Sequence, residues 1–194
     1  MDAILHSWLE RQHAEALALA QASDRLTLVP DGETPPRGYI VRFDCRTLVH
    51  SGGEVKPAGE CVVLFRFPHD YLRVVPDPAW IVALLAPNNL FHPNVAPPFL
   101  CIGRIAPGTS LCELIFQVYE VLTFAKLTPR EDDALNRDAC VWARNNMQRF
   151  PVDTRPLRRQ AADFDVTPIV RPVPQPTPST SNPPIVSITQ ERTA

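Results

Sequence analysis

Two alternating runs constrain what this chain can fold into more than any other feature. In "GYIVRFDCR", Tyr39, Val41, Phe43 and Cys45 fall on one side of an extended chain, with Arg42, Asp44 and Arg46 on the other. In "CVVLFRFP", Cys61, Val63, Phe65 and Phe67 again share one side. A period of two is the mark of a strand with one face in a core and one in water. The connection, "SGGEVKPAGE" at residues 51–60, is rich in turn formers, so the runs read as neighbours in an antiparallel meander. Cys45 and Cys61 then point into the core as small hydrophobes.

The flanks have a different period. Residues 2–22 are rich in Ala and Leu, with Ile4, Leu5, Trp8 and Leu9 spaced to cover one side of a sheet from a helix. "TSLCELIFQVYEVL" opens with Ser110 and Glu113 at capping-box spacing and continues with Leu111, Leu114, Ile115, Val118, Val121 and Leu122 at helical spacing. Cys112 lies on the flank of that helix. "NRDACVWARNNMQRF" predicts a further helix with Asn136 as its N-cap. The order is a helix, four short strands, an irregular Pro-rich segment, then helices. Strands in one run with helices at the ends predict an α+β domain.

At 194 residues and 45% hydrophobic content the chain suits one globular domain, expected over residues 1–150. From Pro151 the composition turns to Pro, Ser and Thr with little to bury, which predicts a disordered tail over residues 151–194. A net charge of −2 gives no basic footprint for nucleic acid. The longest apolar run, "AWIVALLA", is far short of the roughly 20 residues that span a bilayer. The first residues lack the basic start and apolar stretch of a secretory signal, so a cytoplasmic location is expected. Five cysteines without a C-x-x-C pair read as free thiols in a reducing compartment, and neither they nor the scattered histidines suggest a metal site.

One cysteine does not read as packing. Cys101, in "FHPNVAPPFLCIGRI", follows two prolines that would hold a loop outward with little flexibility. A free thiol, with an ordinary pKa of about 8.5, is already partly thiolate near neutrality.

Four features here occur in register, and together the chain resembles the ubiquitin-conjugating enzyme family. "FPHDY" at residues 67–71 is similar to its Phe-Pro-x-x-Tyr turn, and His92-Pro93-Asn94 matches its His-Pro-Asn signature. Cys101 falls where its active cysteine follows, and "PREDDALN" at residues 129–136 is similar to its acidic loop. The resemblance covers residues 25–150. Leu72 stands where the family commonly has proline, and the segment from Tyr71 to Phe91 is long. The interval from Asn94 to Cys101 is one residue short, no tryptophan follows the cysteine, and Ala134 replaces a proline. In these departures the chain resembles divergent bacterial members with their own ubiquitin-like modifier.

The resemblance implies the ubiquitin-conjugating-enzyme-like fold: an N-terminal helix, a four-stranded antiparallel meander sheet and C-terminal helices. It implies a transferase with no cofactor and three kinds of partner: a ubiquitin-like modifier protein, an adenylating activating enzyme and a protein substrate. Cys101 would accept the modifier as a thioester and pass it to an amine, usually of lysine. Asn94 would stabilise the oxyanion, Asp133 (or else Asp132) would orient and desolvate the amine, and His92 and Pro93 would structure the loop. Asn94 could equally tie the loop together through backbone bonds. Two other readings stand beside this one: an inactive relative that holds a modifier noncovalently, and a hydrolase using Cys101 and His92, which needs a Cys–His hydrogen bond.

Overall fold

The computed structural model describes residues 2–158. In chain order its elements are helix α1 (Ala3–Gln21), strands β1 (Leu26–Pro30), β2 (Gly38–Ser51) and β3 (Glu54–Arg66), and a one-turn helix α2 (Pro78–Ile81). Strands β4 (Val82–Ala86), β5 (Val95–Ala96) and β6 (Phe99–Leu100) follow, then helices α3 (Leu111–Leu122) and α4 (Arg137–Arg144). The strands form one antiparallel sheet in the order β1-β2-β3-β4-β6-β5. The class is α+β with an N-terminal helix, but the sheet has six strands where the alternation predicts four. The two extra strands have two residues each, too few for a period of two to register, and they lie inside the Pro-rich segment expected to be irregular.

β2 and β3 pair through Ser51 and Glu54 around Gly52 and Gly53, whose φ values of 62° and 81° suit the left-handed two-residue turn that closes a twisted hairpin. Tyr39, Val41, Phe43, Cys45, Cys61, Val63, Phe65 and Phe67 are all fully buried, as their alternation predicts. Burying each large apolar side chain contributes about 1.5–3 kcal/mol, so this face is the principal source of cohesion. After Asp44 the register slips: Asp44 faces Glu60, the next pair is Thr47 with Ala58, and Cys45 and Arg46 together oppose one residue. That bulge takes the Arg46 amide out of the ladder.

α1 and α3 cover the buried face. α1 buries Leu5, Trp8, Leu9, Gln12, Ala16 and Leu19, with the Trp8 ring edge-on to Phe67 at 5.1 Å. Ile4, expected on this face, is 70% exposed, because adjacent helical positions point about 100° apart and Leu5 takes the inward one. α3 has the predicted capping box: Ser110 Oγ accepts the Glu113 amide, and the Glu113 carboxylate accepts the Ser110 amide. The Leu111 amide donates to Oε1 of buried Gln12 at 2.9 Å, tying the start of α3 to α1.

Packing continues past residue 150. The Val152 amide donates to the Thr123 carbonyl, Tyr119 donates its hydroxyl to the Arg155 carbonyl, and Leu157 is buried. Buried Asp153 accepts the Arg46 amide freed by the bulge, at 2.8 Å, and pairs with the Arg155 guanidinium. Burial alone would raise its pKa, but the bonds from Arg155 and from the Arg46 and Arg155 amides outweigh it and hold the carboxyl well below its usual range. The remainder of the expected tail, from residue 159, lies outside the described residues.

Candidate functional site

The site grows from the turn His92-Pro93-Asn94. The Phe91 amide donates to the Leu48 carbonyl at 2.9 Å, docking the turn against β2. His92 is fully buried, with its ring edge-on to Phe124 at 4.2 Å. Its Nδ1 accepts the Asn94 amide at 2.9 Å, so the neutral ring carries its proton on Nε2. Nε2 has no hydrogen-bond partner among the described residues. Burial lowers the His92 pKa to about 3, against a smaller upward pull from the Lys126 backbone carbonyl. A ring this buried, with one nitrogen committed to a backbone amide, is a structural post. Pro93 is also buried, and its carbonyl accepts the Asn136 amide at 3.1 Å, which brings the start of α4 to the turn.

Asn94 and Cys101 follow the pairing of β5 with β6, one step beyond Val95 and Leu100. The Cys101 amide donates to the Asn94 carbonyl at 2.8 Å, and Asn94 Nδ2 donates to the Cys101 carbonyl at 3.1 Å. Asn94 Oδ1 accepts the Thr128 amide at 2.7 Å. The Asn94 side chain therefore joins three segments, using one of its two N–H hydrogens. Beyond Cys101, Lys126 Nζ donates to the Ile102 carbonyl at 2.6 Å, and Gly103 adopts φ 103°, a backbone conformation that a side chain would strain. The loop is thus pinned on both sides of a half-buried cysteine.

Cys101 lines a hollow of about 200 Å³ together with Asp77, Pro78, Ala79, Phe99, Leu100 and Leu135. Phe99 and Leu135, 54% and 45% exposed, stand as apolar walls. The other four cysteines differ: Cys45, Cys61 and Cys140 are buried, and Cys112 is packed against the core, where burial and then the charges of Glu15 and Glu113 push its pKa up.

His92, Pro93, Asn94 and Cys101 are brought together. Asp133 is not bonded to them: it sits on a 3₁₀ turn, Glu131–Asp133, with its carboxylate 62% exposed and 3.6 Å from Arg130 Nε. Neighbouring Asp132 is exposed as well. Their loop reaches the site through Leu135 and through the Asn136 amide. The residue that sequence reasoning missed is Asp77. "PDPAW" carries a local signal, an N-cap Asp followed by Pro at the first helical position, and Asp77 does accept the Ala79 amide at 3.0 Å. Its approach to Cys101 has no local signal, because it depends on the pairing of Ala83 with Phe99.

Among the described residues no group of His, Cys, Asp or Glu is placed to hold a metal ion, and no helix is long and apolar enough to cross a membrane. Comparison with models of known protein families and with curated proteins gave no match.

Proposed function

We propose that this protein is a ubiquitin-conjugating-type enzyme, with that family's fold, which carries a ubiquitin-like modifier as a thioester on Cys101. The observation that carries the reading is the setting of Cys101: half-buried at an apolar hollow and tied by paired bonds to Asn94 of a buried His-Pro-Asn turn. A carrier needs a sulfur that two successive protein partners can reach, on backbone rigid enough to present the same geometry to both. The Cys101 thiolate attacks the modifier's carbonyl, held as a thioester on the adenylating enzyme; the new C–S bond forms, the old C–S bond breaks, and the activating enzyme's thiolate leaves. An acceptor amine then attacks the new thioester, the C–N bond forms, and the sulfur leaves.

Negative charge on the carbonyl oxygen during that attack calls for an aimed donor, which is worth about 3 kcal/mol. The second N–H of Asn94 is the donor we assign, with Asp133 contributing negative potential on the acceptor side. His92 and Pro93 hold the turn. The buried, neutral His92, whose Nδ1 is already bonded, speaks against a Cys–His hydrolase.

The test is co-expression with whichever ubiquitin-like and adenylating proteins are encoded beside its gene, followed by intact mass of the wild type and Cys101→Ser. The expected result is a wild-type adduct removed by thiol treatment and a thiol-resistant ester on the Ser variant. An activating enzyme that charges itself while neither form is loaded would leave a noncovalent binding relative as the better reading.

A further inference from the structure

Resting on that reading, we infer that Asp77 is the carboxylate that receives and orients the attacking amine. Among the described residues, Asp77 is the single acidic one lining the hollow that Cys101 lines. The hollow, about 200 Å³, is smaller than the roughly 300 Å³ at which sites for drug-sized ligands begin, and suits one side chain. Its apolar walls, Pro78, Ala79, Phe99, Leu100 and Leu135, match the aliphatic stem of a lysine, and its two polar features match the head.

The geometry leaves Asp77 free to do this. Oδ1 accepts the Ala79 amide and thereby fixes the side chain, while Oδ2 has no hydrogen-bond partner among the described residues. The rival acid, Asp133, faces Arg130 and does not line the hollow. A lysine ammonium drawn to Asp77 would lose one proton before attack, by way of the carboxylate to solvent. Its nitrogen lone pair then forms the C–N bond, the C–S bond breaks, and the sulfur leaves with that electron pair. A second proton comes off the nitrogen as the amide forms and ends on the Cys101 thiol. Of the three ammonium protons one stays on the amide, one goes to sulfur and one to water.

The experiment bypasses the unidentified activating enzyme. In a Cys112→Ser background, Cys101 is the remaining thiol that is not buried. It is charged from a short synthetic peptide thioester of mercaptoethanesulfonate and freed of excess reagent. Discharge is then followed by intact mass in buffer, in lysine amide and in hydroxylamine, an amine already neutral at pH 7. Asp77→Asn is the informative variant, because Asn caps helices as well as Asp while carrying no charge.

The expected result is a loss of about 100-fold in discharge to lysine, the low end of what a positioned proton acceptor contributes. The loss should shrink as pH rises, discharge to hydroxylamine should be unchanged, Asp77→Glu should recover part of the rate, and Asp133→Asn should lose less. Asp77→Asn discharging to lysine at the wild-type rate overturns the inference, as does an equal loss with both amines, which marks a structural role. If lysine does not accelerate wild-type discharge over water, the transferase reading itself fails and the inference falls with it.

Discussion

β2 and β3 hold their backbones with each other along one long ladder, whereas the segment from His92 to Gly103 has short, scattered backbone pairing that side chains reinforce. Along the hairpin each buried side chain sits over a ladder of amide–carbonyl bonds, so cohesion and hydrogen bonding come from separate groups. Around Cys101, β5 and β6 offer two residue pairs and β4 adds one. Scattered backbone bonds, such as those from the Cys101 amide to the Asn94 carbonyl and from the Asn136 amide to the Pro93 carbonyl, are supplemented by His92 Nδ1, both ends of the Asn94 amide and Lys126 Nζ. A ladder spreads the loss of any one bond over its neighbours. A side-chain brace concentrates it, which lets a loop project a cysteine outward yet hold it still.

The largest expected effect is on the ladder side. Phe65→Ala, at a fully buried position facing Tyr39 in the register, should cost about 3–5 kcal/mol through lost transfer energy and a residual cavity. Because the loss belongs to the shared core, denaturant unfolding should show a lower midpoint with one cooperative transition. A local loosening of β3 with unchanged global stability would break the contrast.

On the brace side, Asn94→Ala strands the Thr128 amide and removes the bond to the Cys101 carbonyl. The expected cost is about 1 kcal/mol, the low end for a donor left without a partner, because Thr128 is half-buried. It should be felt locally: hydrogen exchange should accelerate at the Thr128 and Cys101 amides, while amides of β2 and β3 change only with global stability. Uniform acceleration across the sheet would mean that the loop and the hairpin unfold as one unit.

The same contrast decides what could be read from the residues. The alternation of Tyr39 to Cys45 and of Cys61 to Phe67 is a local record of a half-buried sheet, and Ser110 with Glu113 or Asn136 is a local record of a helix start; all appear where expected. The bulge after Asp44 is a matter of one residue, and it creates the amide donor that anchors Asp153 more than 100 positions later. Nothing in the Pro-rich composition after residue 150 marks Asp153 and Leu157 as anchors, because their partners are set by tertiary pairing. His92, Asn94 and Cys101 could be picked out by resemblance and do lie together, while Asp77 reaches the hollow through pairing that leaves no local trace.

The finest distinction between the two regions is in their response to acid. Among the buried groups of the hairpin, Cys45 is held far above its ordinary value by the adjoining Cys61 thiol and by burial, so it stays neutral in acid. His92, by contrast, is neutral in the fold down to about pH 3, whereas in an unfolded chain it takes up its proton near 6.5. Between those values the unfolded state binds more protons than the folded one, so stability falls as pH falls, with a slope approaching about 1.4 kcal/mol per pH unit. The stabilisation is whole above pH 6.5 and declines steadily below it. The depressed carboxyl of Asp153 adds its own loss only as pH drops below the usual carboxylate range, so the interval from 6.5 to 4.5 separates the two groups. Urea unfolding at half-unit steps across that interval should therefore show a falling wild-type stability and a flatter profile for His92→Gln, which cannot titrate there. Equal slopes for the two proteins would mean that the turn opens to admit the proton, and that the brace holding Cys101 is looser than the bond from the Asn94 amide to His92 Nδ1 implies.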